Sequence, residues 1–154
     1  MHKPYKSHDN IFIILWRYLK NSPGMGIHIT SYNSLDLIGF VDADWAKCLF
    51  SRRSVTGYLV YLGGSLVSWK SKKQSTISCS STKSEYRALR SITCELIWIL
   101  KLLHDLGIKT NLPVDIFCDN ESAIKLALNP IFHEKTKHFE IDLHFVREKL
   151  RMEF

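Results

Sequence analysis

The hydrophobic pattern changes period along the chain, and those changes mark its elements. Ile11 to Lys20, IFIILWRYLK, is apolar nearly all round and reads as a helix that Asn21-Ser22-Pro23-Gly24 stops. Such a helix needs a cover, and residues 1–34 read as a separate small unit. From Leu35 the period becomes two. LDLIGFVDADWAKC, Leu35 to Cys48, predicts a strand over 36–42 in which Asp42 shares a face with Ile38 and Phe40. A carboxylate thus stands where an apolar residue was expected, while Asp44 is assigned to the turn beyond. Gly57–Leu62 and Ser65–Trp69 alternate in the same way, joined by the two-residue hairpin loop Gly63-Gly64. Strands over 36–42, 56–62 and 65–71 therefore predict an antiparallel meander. A helix is predicted from Ser84 to Leu106, ending at Gly107, with Leu89, Ile92, Leu96, Leu100 and Leu103 on one stripe. The next apolar run, 114–118, arrives through that helical crossover and is predicted to lie parallel to the first strand. A further helix begins near Asn120. The expected fold class is α/β: a mixed sheet of three antiparallel strands plus a parallel one, with flanking helices.

Three carboxylates sit where these elements end. Taken alone, each has a structural explanation. Asp42 fits a turn, Asp119 fits the N-cap of the helix after it, and Thr82-Lys83-Ser84-Glu85 fits a capping box. Against the capping box, Glu85 precedes Leu89 and Ile92 by helical spacings and so lies on the side of its helix that faces the sheet. Taken together, carboxylates from the first strand, the crossover helix and the adjacent parallel strand converge at one rim. Oxygen-only clusters suit Mg²⁺ or Mn²⁺, and two such ions about 4 Å apart assist phosphodiester cleavage. Without metal, crowded carboxylates repel and take up protons.

Composition narrows the setting. At 154 residues and 45% hydrophobic, the chain can bury one core. No stretch reaches the length of a membrane span and MHKPYKSHDN has no signal-peptide core, so an intracellular, cytoplasmic protein is expected, with the nucleus as an alternative. Cys48, Cys79, Cys94 and Cys118 form no CxxC pair, which argues for reduced thiols and against a metal–thiolate site. The net charge of +6 favours polyanions. Lysines and arginines cluster around the third strand, at Arg52, Arg53, Lys70, Lys72 and Lys73, and again near the C-terminus. Charge alone fits a solvated surface as well as a nucleic-acid groove.

In order along the chain, FVDADWA, RRSVTGYLVYLGGSLVSWKSKKQSTIS, SEYRAL, TCELIWILKLLHDLGI, FCDNESAIKLALNP and FHEKTKHFEIDLHFVREKL resemble the ribonuclease H domain of Ty1/copia-type LTR retrotransposon polyproteins. The resemblance covers nearly the whole chain. It implies residues 1–34 as a remnant of the connection from the reverse transcriptase, and 35–154 as an RNase H-like domain. It further implies cleavage of the RNA strand of RNA–DNA hybrids with two Mg²⁺ (or Mn²⁺) ions. Matched motif by motif, the family's acids fall on Asp42, Glu85 and Asp119, which would be both catalytic and metal-ligating. Lys72, Lys73, Gln74 and Asn120 are the expected nucleic-acid contacts, and a reverse transcriptase domain of the same polyprotein is the expected protein partner. Trp45 and Trp69 read as core aromatics before stacking partners.

The departures from the family pattern define the alternative. Lys83 stands where relatives carry an acid, and there it is expected either to depress the pKa of Glu85, if close, or to extend the hybrid-binding surface; Lys47 stands where they carry Gly. The domain ordinarily continues into a last strand and a helix bearing a fourth carboxylate, whereas this chain stops at REKLRMEF. Asp142 is the nearest substitute for that acid, and His133, His138 and His144 form no convincing zinc set. The alternative is a truncated, non-catalytic remnant that at most binds nucleic acid.

Overall fold

The computed structural model describes residue 3 and residues 5–31 and 34–128. Helix α1 spans Lys6–Asn21, strand β1 Leu37–Asp44, β2 Val55–Leu62 and β3 Ser65–Lys73. Helix α2 follows over Ser81–Asp105, then β4 over Asp115–Cys118 and α3 over Glu121–Leu128. The strands form one sheet in the order β3-β2-β1-β4, with β1–β2 and β2–β3 antiparallel and β1–β4 parallel. This is the RNase H-like arrangement expected from the sequence.

Local chemistry sets the joints. Gly63 and Gly64 both take positive φ, 54° and 75°, as the right-handed twist of a two-residue hairpin requires. Helix α2 begins at Ser81, one turn earlier than periodicity predicts, because the Ser80 hydroxyl accepts a hydrogen bond from the Lys83 N–H. Gly107, at φ 72°, closes its C-terminal end. Strand β1 runs on through Asp44, two residues past the expected end, which places Asp44 in the strand rather than the turn. Its ladder with β2 continues through Asp42↔Gly57 and Asp44↔Val55.

The core lies on one face of the sheet. Leu37, Val41 and Ala43 of β1, with Tyr58 and Val60 of β2, pack under Leu89, Ile92, Leu96, Ile99 and Leu103 of α2. Gly39 lets the helix approach: a Cβ there would come 2.7 Å from Ile92 Cδ1. The buried face of β1 is thus the one without Asp42. Ile38, Phe40 and Asp42 line the other side, where Phe40 stacks on Phe117 at 5.1 Å between ring centroids and meets Tyr61 edge-on. On that face Phe40, Leu59, Trp69 and Phe117 are exposed. Helix α1 buries none of its residues, so the cover expected for its apolar surface is not supplied among the described residues.

Candidate metal centre and nucleic-acid face

The site forms at the carboxyl ends of the parallel pair β1 and β4. Alternation puts Asp42 on the uncovered face of β1, and Phe40↔Phe117 pairing puts Asp119, just past β4, on the same face. Both carboxylates are exposed at the rim. Glu85 approaches from the opposite side. It stands in the first turns of α2, between the core residues Tyr86 and Leu89 and the cap, and it retains 5% of its exposure.

Neither capping explanation holds. Ser80 caps α2, so Glu85 is not engaged with the backbone of Thr82. Asn120 caps α3, its Oδ1 accepting from the Ala123 N–H at 2.9 Å, which frees the neighbouring Asp119.

A ligand atom from each of Glu85, Cys118 and Asp119 lies within 4.8 Å of the others. Asp42 stands outside that group but close enough to act on it. Burial first, and then the Asp42 charge, push the Glu85 carboxyl up to about 7; Asp119 and Asp44 add to the rise and the Ala43 N–H opposes it. Desolvation and crowding thus set the direction at Glu85, and Lys83 is not among the main groups that shift it. Glu85 Oε2 is buried with no hydrogen-bond partner among the described residues. A buried carboxylate oxygen left unpaired costs about 1–3 kcal/mol or more, and a cation between it and Asp119 would remove that cost. The oxygen donors present therefore fit a hard divalent ion. An open hollow of about 580 Å³ beside them is lined by Asp42, Asp119, Gly57 and the Phe40–Phe117 pair.

The expected nucleic-acid contacts divide. Lys72 and Lys73 are exposed at the end of β3. Gln74 is buried, its carboxamide donating to Thr56 Oγ1 at 3.1 Å and to the Ser84 carbonyl at 3.0 Å, and accepting from Ser78 Oγ. It ties β2 and its own segment to the first turn of α2 and so holds Glu85 in place. Asn120 spends its side-chain oxygen on the cap. Neither tryptophan joins the core: Trp69 is exposed, and Trp45, half exposed, donates its indole N–H to the Ser78 carbonyl at 2.9 Å. Lys47 pairs with Asp44 at the rim. Asp142, His133, His138 and His144 lie outside the described residues.

Periodicity alone misses two features. The first is the polar knot of Ser54, Thr56, Gln74 and Ser78, in which Ser54 Oγ also accepts from the Ala46 N–H. Its signal was the unusual run of small hydroxyl residues between β3 and α2. The second is a basic trench of about 600 Å³ between β3 and α2, where Lys70, Lys72 and Lys73 face Arg87 and Arg90. The arginines belong to it because they recur at helical spacing on the side of α2 turned toward β3.

No protein-family profile matches the chain, and no solved structure matches it. It is 42% identical over 151 residues, 98% of its length, to the retrovirus-related Pol polyprotein from transposon RE2 of Arabidopsis thaliana. It is 34% identical over 148 residues to the corresponding polyprotein from transposon TNT 1-94 of Nicotiana tabacum. The chain belongs to the retrovirus-related Pol polyproteins of copia-type transposons. This Pol segment spans 10% and 11% of the length of those two relatives. It is also similar to secreted RxLR effector protein 161 of Plasmopara viticola, 43% identical over 96 residues, which make up 62% of this chain and 68% of that protein. The names of the Pol segment's relatives therefore speak to its lineage.

Proposed function

We propose that this Pol segment is a ribonuclease H-type endonuclease that cleaves the RNA strand of RNA–DNA hybrids. The observation that carries the proposal is the orphaned, buried Glu85 Oε2 drawn up beside Asp119 and Asp42 at the carboxyl ends of the parallel strands. A pair of Mg²⁺ or Mn²⁺ ions would be held by Asp42, Glu85 and Asp119 and, when bound, would activate water and stabilise the leaving oxygen. The chain's own residues do the rest. Glu85 is fixed from below by the Ala43 N–H and by the knot around Gln74, while Asp42 and Asp119 present their carboxylates from the open rim. Lys72 and Lys73 carry positive charge toward the phosphates of a strand laid across that rim. The apolar, exposed α1 supports a covering partner, which we take to be a polymerase domain of the same polyprotein.

The test is cleavage of a labelled hybrid in Mg²⁺ by the chain and by Asp119→Asn. The chain is expected to cleave, and the variant to lose activity by roughly a hundredfold or more, the scale of removing one fixed electrostatic group. Absence of metal-dependent cleavage, or equal cleavage by both, overturns the proposal. The basic trench supports a second reading, the non-catalytic nucleic-acid binder, since it gathers five cations against a single carboxylate, Glu95. Salt-sensitive binding of the hybrid without cleavage is its signature.

A further inference from the structure

The structure assigns to Glu85, Cys118 and Asp119 a site for a thiophilic divalent cation of the Zn²⁺ class, overlapping the site proposed for Mg²⁺ but centred away from Asp42. The three ligand atoms lie within 4.8 Å of one another, and Asp42 is not among them. Strand alternation brings Cys118 to Glu85. Cys118 is the last residue of β4 and points, with Ile116, toward α2, which is the side from which Glu85 arrives. Asp119 follows directly as the chain leaves the strand. Glu85 is nine-tenths buried, and its unpartnered Oε2 supplies an anionic donor already desolvated and waiting for a partner.

The donor set decides the ion. One sulfur and two carboxylate oxygens are donor types that Zn²⁺ takes, and drawn in around it they leave a fourth position for water, whereas Mg²⁺ takes oxygen donors and leaves sulfur alone. Binding forms a metal–sulfur bond and transfers the thiol proton to solvent. No oxidation or reduction is involved. Because both ions need Glu85 and Asp119, they exclude one another, and a thiophilic ion seated toward Cys118 blocks the rim without engaging Asp42. The site requires only that the three ligands converge, so it does not depend on hybrid cleavage. The absence of a CxxC motif counts against a thiolate site in the sequence, but the topology supplies a sulfur beside the carboxylates without one.

The test uses the full chain with Cys48, Cys79 and Cys94 replaced by Ser, because exposed Cys79 and Cys94 would bind metal adventitiously. Cadmium ion is titrated and the ultraviolet thiolate-to-cadmium charge-transfer band is read. One equivalent is expected to saturate the band. Cys118→Ser is expected to abolish it, Glu85→Gln and Asp119→Asn to weaken binding roughly tenfold or more, and excess Mg²⁺ to compete. Glu85→Gln leaves the sulfur in place, and Asp119 is exposed, so these variants test the site even where Cys118→Ser perturbs folding. A band that survives Cys118→Ser, or one indifferent to both carboxylate changes, overturns the assignment. Cadmium binding as described in a chain that cleaves no hybrid would remove the nuclease proposal alone, and cleavage without the band would remove this one alone.

Discussion

Glu85 concentrates the physics of the site in one side chain. Its carboxyl is pushed up to about 7, chiefly by burial and then by the charge of Asp42. In the unfolded chain it would titrate near the ordinary value of about 4.3. Between those values the folded state holds a proton that the unfolded state has released, so folding stability is fullest below the unfolded value and declines as pH rises through about 7. For a residue this deeply buried, the decline is of the order of 3 kcal/mol. Denaturant unfolding of the metal-free chain at about pH 5 and about pH 8 should show it, and Glu85→Gln should remove most of it. Adding Mg²⁺ at the higher pH should recover stability, because the cation takes the place of the proton. An equal fall in the chain and in Glu85→Gln would mean that the carboxylate is not where the strain sits.

At the scale of elements, Gln74 separates two roles that look alike in the sequence. Its neighbours Lys72 and Lys73 invite a nucleic-acid contact, yet its carboxamide bonds Thr56, Ser84 and Ser78 in the interior. Gln74→Ala is therefore expected to lower stability by about 1–3 kcal/mol, the cost of leaving the buried Thr56 hydroxyl without its donor. It should leave the salt dependence of hybrid binding unchanged. A change in that dependence with no loss of stability would return Gln74 to the surface. The same contrast explains what was legible beforehand. Periods of two and 3.6, with Gly63-Gly64 and Gly107 as punctuation, carry strand order, the crossover and the approach of Glu85 to Asp119. Element ends are not periodic. Ser80 captures the start of α2, and the β1–β2 ladder runs on through Asp44, because hydrogen bonds settle those positions. Cys118 stayed hidden for another reason: its partners are remote in sequence, and only the parallel pairing of β4 with β1 carries it to Glu85.

Across the whole molecule, charge is distributed in a way that suits a long anion. The net charge is +6, yet the rim of β1 and β4 gathers Asp42, Asp44, Glu85 and Asp119. Positive charge gathers instead in the trench between β3 and α2, where Lys70, Lys72, Lys73, Arg87 and Arg90 are set against Glu95. The two regions flank the N-terminal end of α2, so a nucleic acid crossing the rim meets cations on the β3 side. Some of that charge also serves the fold, since Lys70 bonds Ser91 at 3.0 Å and Arg87 bonds the Ser78 hydroxyl at 2.9 Å. Lys72 is exposed and is the cation to change. Each cation that neutralises a phosphate releases a counterion, so its removal lowers the slope of log affinity against log salt by about 0.9 on a duplex. Lys72→Gln should therefore reduce that slope by about 0.9, measured by fluorescence anisotropy of a labelled hybrid across a salt series. Thermal unfolding should barely move, as expected of exposed side chains away from the core. If the slope is unchanged while the chain still binds, the phosphates do not run through the trench, and the path of the hybrid must be sought along the exposed Phe40–Phe117 face instead.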